Sequence, residues 1–368
     1  FSDRDQRWCL ALALWNGRDE LLKERLFGLN GHQGNHAEDV KEEYWYLDAT
    51  PTHSWGRFGY AYPQQPFPYE ELITRNAELG HLDPEFELLD TGVFDDGYWD
   101  VEVTHAKAEA DDLLLRIDVT NRGSDADTIH IIPTMWFRNR WRWGRDFDPV
   151  PSIEAADHGG LTAQEIKAGR LELAATTGAT ALFCENETNC RELWGLRNHA
   201  PFTKDGINDH IVLGADSVNP DLTGTKAALW YRFDVEPGET ASVRLRLAPT
   251  TRPIDDEFDG VLATRRDEAD EFYAELDPGE TDDEHRRIAR QALAGMLFSK
   301  QWYHFDVEQW LDGDPAFSAP PASRLDGRNR RWRHLNNADI LSMPDVWEYP
   351  WYAAWDTAFH CLPLTLVD

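Results

Sequence analysis

The sequence predicts a mixed β and α chain, with an N-terminal antiparallel β-sandwich followed by helices. Three observations predict it. Between residues 98 and 250 apolar and polar residues alternate in extended runs separated by polar turns. After residue 252 the apolar spacing changes to threes and fours. At 368 residues, 41% hydrophobic and 28% charged, the chain is long enough for two domains around a substantial core.

Residues 18–29, RDELLKERLFGL, carry Leu21, Leu22, Leu26 and Leu29 at helical spacing and predict a short helix. Gly31 and Gly34 break the chain, and residues 31–75, with Pro51, Pro63, Pro66 and Pro68, predict a long aromatic loop. His32, His36 and His53 lie there beside Glu38 and Asp39, but their spacing matches no metal-ligand pattern. No metal or cofactor is expected.

The runs YWDVEVTHAKAE, DLLLRIDVTNRG and DTIHIIPTMWF predict strands, with Asn121-Arg122-Gly123 as a turn. In AALWYRFDVEPGETASVRLRLAP, Leu229, Tyr231, Phe233 and Val235 alternate before Pro237-Gly238, and Val243, Leu245 and Leu247 alternate after it. That pattern predicts a hairpin. Antiparallel strands at this spacing suggest a sandwich over residues 1–250, with long aromatic loops. Within it MWFRNRWRWGRD, residues 135–146, alternates Arg and Trp, and is read as a joint against the following part of the chain.

Residues 251–279 read as a helical linker, with Phe258, Leu262, Ala269, Phe272 and Leu276 on one face. The stretch 280–305 reads as a second helix, opened by Thr281 and Glu284 at capping-box spacing. Residues 311–343 read as a polar connection to MPDVWEYPWYAAWDTAFH, residues 343–360. This last string holds Trp347, Tyr349, Trp351, Trp355 and Phe359 beside Glu348 and Asp356. Ring faces take the C–H faces of sugars and carboxylates take their hydroxyls, so a carbohydrate cleft is expected there; ordinary aromatic core is the plainer alternative. Asp356 could equally cap the helix that Thr357 continues.

The string 343–360 resembles the catalytic-acid motif of glycoside hydrolase family 63. Residues 34–55, GNHAEDVKEEYWYLDATPTHSW, are similar to a segment of bacterial members of that group, among them proteins described as glucosidases or mannosylglycerate hydrolases. The resemblance implies a large N-terminal sandwich and, over residues 280–368, the truncated start of an (α/α)6 catalytic barrel. It implies an inverting glycosidase acting on α-glucosidic or related α-mannosidic bonds, with Asp356 as general acid. Trp347, Glu348, Tyr349, Trp351 and Trp355 would contact sugar. The family's general base lies far downstream of the acid, so this chain is expected to be an inactive fragment of a longer polypeptide. Phe1 at the start and the uncapped CLPLTLVD at the end fit that expectation. The alternatives are a non-catalytic carbohydrate-binding or scaffolding module, and another (α/α)6 glycosidase of trehalase-like or debranching type.

The formal charge of −31, from 67 acids against 36 bases, argues against nucleic acid and anionic membranes as partners. No apolar run of about 18 residues is present, so no membrane-spanning helix is expected. Cys9, Cys184, Cys190 and Cys361 form no CxxC pairs and are expected as free thiols in a cytoplasmic protein. Nothing in the sequence sets the oligomeric state.

Overall fold

The computed structural model describes residues 1–30, 38–143, 149–157, 159–276, 282–313, 318–343 and 353–367. The strands of the N-terminal part are β1 (Trp8–Trp15), β2 (Gly28–Asn30), β3 (Glu38–Val40), β4 (Glu43–Ala49), β5 (Trp55–Pro63), β6 (Tyr98–Glu109), β7 (Asp112–Asn121) and β8 (Asp127–Phe137). They continue with β9 (Ser152–Ala155), β10 (Leu161–Glu165), β11 (Gly169–Ala175), β12 (Thr180–Cys184), β13 (Thr223–Gly224), β14 (Lys226–Val235) and β15 (Thr240–Ala248). Helices α1 (Tyr69–Glu78), α2 (Cys190–Trp194) and α3 (Gly206–Leu213) sit in the connections.

Two antiparallel sheets face each other. One runs β1-β8-β14-β12 and the other β13-β9-β10-β11-β15-β7-β6-β5-β4. Their inner faces share a core in which Leu10, Ile131 and Tyr231 of the first sheet meet Val101, Ile117 and Leu245 of the second. Both sheets are also covered outside. Ala13, Ile132 and Ala228 lie under Ile207 and Ile211 of α3, and Trp55, Ala106 and Leu114 lie under a longer helix, α4 (Asp256–Leu276). Covering both faces explains why β8 is buried without a break from Ile129 to Met135, where a half-exposed strand would alternate.

Three expectations change here. Residues 18–29 form no helix, because other partners take their backbone groups. The Asn16 side chain accepts from the N–H groups of Arg18 and Asp19, and Lys23 pairs with Leu14 of β1 through both its backbone groups. Residues 31–75 are not one long loop: β4 and β5 pair within the stretch and join the large sheet at β6. The segments around Pro237-Gly238 are strands, but they are not partners. β14 bonds to β8 and β12, and β15 bonds to β7 and β11. The chain crosses from one sheet to the other, so Leu229 and Tyr231 face Val243 and Leu245 across the core rather than along a ladder.

Helix α4 buries Phe258, Leu262 and Ala269 of the predicted face, while Phe272 is half-buried and Leu276 is exposed. It packs on the outer face of the large sheet and roofs a buried ion pair. Arg246 of β15 grips Asp112 of β7 with two hydrogen bonds, of 2.9 and 2.7 Å, and both side chains are buried. Helix α5 (Asp283–Phe298) starts at Asp282, whose carboxylate accepts from the His285 N–H; Thr281, the expected cap, lies outside the described residues. Arg290 anchors α5 to the sandwich with two bonds to Asp48, which also accepts from the Trp55 indole.

The helix expected over 280–305 stops at Phe298. Strand β16 (Lys300–Asp306) follows and pairs with β17 (Asn336–Ser342), inside the stretch read as a polar connection. Between them lies α6 (Val307–Asp312), and the described chain closes with α7 (Ala354–Leu364). The architecture is thus mixed, with large antiparallel sheets forming a β-sandwich and a smaller helix-and-hairpin segment after it. Among the described residues this segment holds α5, α6, α7 and one hairpin, and the barrel expected from the resemblance stays a proposal.

Candidate functional site

Helix α7 carries Asp356 in its first turn, half-buried and making no capping bond. The helix is pinned to the end of β17. The Thr357 hydroxyl donates to the Ser342 carbonyl at 2.9 Å, and Ser342 Oγ lies 3.0 Å from His360 Nδ1. His360 thus has a positioning contact one turn after Asp356. Trp355 is 71% exposed and Phe359 is 70% exposed, so neither ring shields the carboxylate. Trp347, Glu348, Tyr349 and Trp351 lie outside the described residues.

A second site emerges at the joint between the sandwich and the hairpin. Its sequence elements lie far apart: the start of β1, the end of β8, and one face of β16–β17. An open cleft of about 380 Å³ is lined there by Arg7, Arg138, Trp143, Trp302, His304 and Asn336, among others. Alternation along β16 puts Trp302, His304 and Asp306 on the same face. Trp143 and His304 lie 5.7 Å apart by ring centroids, and Trp302 and His304 lie 5.2 Å apart. The Arg138 guanidinium sits 4.1 Å from the Trp302 ring centroid, a cation–π contact across the joint.

The contacts of Arg138 and Trp143 with β16 match the reading of MWFRNRWRWGRD as a joint. Arg142 and the Trp141 indole both bond Glu187 within the sandwich, each at 2.7 Å, while Arg138 stacks on a ring. Burial, then the nearby Arg138 charge, holds His304 below its ordinary pKa. Asp306 is occupied as the cap of α6, accepting from the Gln309 N–H at 3.0 Å.

The sequence reading missed Trp302, His304 and Asn336. One signal was available: KQWYHFD has the period-two pattern of a strand, but it follows directly on the apolar end of α5 and was absorbed into the helix.

Between the sheets lies an apolar cavity of about 350 Å³, walled by residues such as Leu12, Phe58 and Val103. Polar side chains line it too, among them Lys23, Glu24, Arg25, Tyr60 and His105. His53 lies 3.3 Å from Lys300 Nζ, and burial followed by the charges of Lys300 and Lys107 pushes it down to about 4. His32 and His36 lie outside the described residues. Among the described residues no group of three or more His, Cys, Asp or Glu side chains could hold a metal ion, and no helix is long and apolar enough to cross a membrane. The four cysteines are free; burial raises Cys9 to about 11 and Cys184 to about 12.

No family model matches the chain. Solved structures of low similarity bear the names of carbohydrate-active enzymes. One, described as a kojibiose phosphorylase from the human microbiome, has a TM-score of 0.30 at 8% identity, covering 82% of this chain and 29% of that one. Another, described as an aldose 1-epimerase of Escherichia coli K12, has a TM-score of 0.26 at 10% identity, with 56% and 68% covered. A polysaccharide lyase has a TM-score of 0.24 at 13% identity, with 46% and 23% covered. By sequence the chain is similar to the uncharacterized protein YMR196W of Saccharomyces cerevisiae, 40% identical over 417 aligned positions that take in 100% of this chain. The chain spans 38% of the length of that relative.

Proposed function

We propose that the protein processes carbohydrate, as the sugar-gripping part of an inverting glycosidase that cleaves α-glucosidic or related α-mannosidic bonds. The observation that carries this reading is the cleft of Trp143, Trp302 and His304 beside the Asn336 amide. Ring faces and amides together match the two kinds of surface a sugar presents. The motif holding Asp356 supports the same reading, through the resemblance it carries.

In this proposal Asp356 hands its proton to the departing glycosidic oxygen, while a second carboxylate activates water on the opposite face of the sugar ring. In inverting enzymes the two carboxyl groups stand about 6.5–9.5 Å apart. The resemblance places that base far downstream of the acid. Asp356 occupies the first turn of α7. A general acid must stay protonated near working pH, so it needs apolar cover. Trp355 and Phe359 are too exposed to provide it, and the cover must come from elsewhere. Trp347, Glu348, Tyr349 and Trp351 are the residues we propose for sugar contact.

Asp356→Asn in the longer protein tests the reading. Turnover of α-glucosides should fall by roughly a hundredfold or more, with saccharide binding kept. Unchanged turnover would remove Asp356 from the mechanism. Saturable saccharide binding with no hydrolysis by the unaltered longer protein would favour a binding module.

A further inference from the structure

In a chain with 67 acidic and 36 basic residues, an arginine without a carboxylate partner is unexpected. Among the described residues Arg138 has no carboxylate partner. Its guanidinium lies near the rings of Trp302 and Trp143, at 4.1 and 5.4 Å from their centroids, and its Nε is buried with no hydrogen-bond acceptor. Burial, then the charge of neighbouring Arg140, pulls it down to about 10. The cation is therefore held where it is disfavoured.

Two more buried N–H groups without an acceptor belong to the same cleft: Arg7 Nε and Trp302 Nε1. Buried orphan donors are uncommon in folded proteins and call for a partner. The acids of the cleft do not supply one. Asp5 pairs with another nitrogen of Arg7, and Asp306 caps α6 while accepting from the Asn336 amide at 3.4 Å. Arg140 and Lys167 also line the cleft and add positive charge.

We propose that this cleft binds a phosphate group, free or carried on a sugar, with its oxygens accepting from Arg138, Arg7 and Trp302. Three donors from three separate side chains suit the three terminal oxygens of a phosphate monoester. A planar carboxylate is better met by two parallel N–H groups of a single guanidinium. The donors lie in the cleft wall, and side-chain rotation brings them to the ligand. Trp143 and His304 line the same cleft, where an attached sugar would meet them. The proposal rests on the cleft being the ligand site of the preceding section, and does not require Asp356 to be catalytic.

The test is titration of the purified protein with inorganic phosphate, glucose 6-phosphate and glucose, followed by calorimetry and by tryptophan fluorescence. Saturable one-to-one binding of a phosphate species is expected, well above any response to glucose. Tighter binding of glucose 6-phosphate than of inorganic phosphate would assign the site to a sugar phosphate, and equal binding to the free anion. Arg138→Gln should weaken binding by roughly tenfold or more. Trp302→Phe keeps the ring and removes only the N–H, so it should weaken binding a few-fold with the melting temperature retained. Absence of saturable binding by either phosphate, or binding indifferent to both substitutions, overturns the proposal. Neutral saccharide bound and hydrolysed without phosphate binding would sink this proposal alone. Phosphate binding with turnover indifferent to Asp356→Asn would sink the glycosidase reading alone.

Discussion

The sandwich and the segment after α4 are built from the same residue types and are finished differently. In the sandwich, apolar faces are covered on both sides of both sheets and the buried ion pairs are matched, although a few buried polar atoms such as Trp99 Nε1 lack a partner there as well. Arg246 grips Asp112, and Lys23 pairs with Glu42, which also accepts from the Tyr60 hydroxyl. In the later segment every residue of β16 is only half-buried, and α7 has no buried residue. Arg138, at the seam between the two, meets rings where a carboxylate would be expected. The difference separates a self-sufficient scaffold from a surface whose aromatic and polar groups remain available, and ligand sites are drawn from surfaces of the second kind.

The largest effect expected on the scaffold is acid sensitivity. His53, His105 and His130 are all depressed, chiefly by burial: His53 and His130 to about 4 and His105 to about 3. Each would take up a proton near 6.5 in the unfolded chain, but not in the folded chain until the pH is far lower. The unfolded state then binds more protons, so stability is whole above about 6.5 and falls as pH drops toward 4. Three such groups give a slope of up to about 4 kcal/mol per pH unit. Denaturant titrations between pH 7 and 4.5 measure it, and a flat profile would show that the imidazoles are solvated. The next effect is local. Asp112→Ala removes both short bonds of Arg246, leaving it the Pro253 carbonyl and Glu257 at 3.7 Å, and should cost about 3 kcal/mol. A loss below about 1 kcal/mol would mean that water reaches the guanidinium.

The same contrast governs what could be read from the sequence. The strands over 98–137 and 227–248 were legible because alternation reports burial directly, whereas β9 to β13 and the helices α2 and α3 between them were not read. The pairing of the legible strands was not, since alternation names the face of a strand and not its neighbour; β14 and β15 therefore looked like a hairpin while lying in opposite sheets. The helical spacing of residues 18–29 lost to the Asn16 side chain and to the pairing of Lys23 with Leu14, neither of which a periodicity can show. Asp356 was legible only through its motif. The cleft was illegible because Arg7, Arg138, Trp302 and Asn336 converge from distant stretches, and the decisive features are missing partners, which exist only once the chain has folded.

The smallest effect on stability is expected at the outer face of α7. Trp355, Phe359 and Leu362 stand at helical spacing and are 70–71% exposed, so one stripe of the helix presents apolar side chains to water. An exposed side chain loses little when it is shortened, and Phe359→Ser should change unfolding free energy by no more than about 0.5 kcal/mol. A contiguous apolar stripe nevertheless favours association, so the same substitution should reduce concentration-dependent self-association in sedimentation experiments. Had α7 been finished like the sandwich helices, Phe359 would resemble Phe258 of α4, which is fully buried, and its loss would cost about 3–5 kcal/mol. The two phenylalanines therefore measure the contrast on one scale: Phe258→Ala should unfold the scaffold well before Phe359→Ala has any detectable effect. Equal costs at the two positions would show that α7 is packed as tightly as α4, and that the later segment is scaffold too.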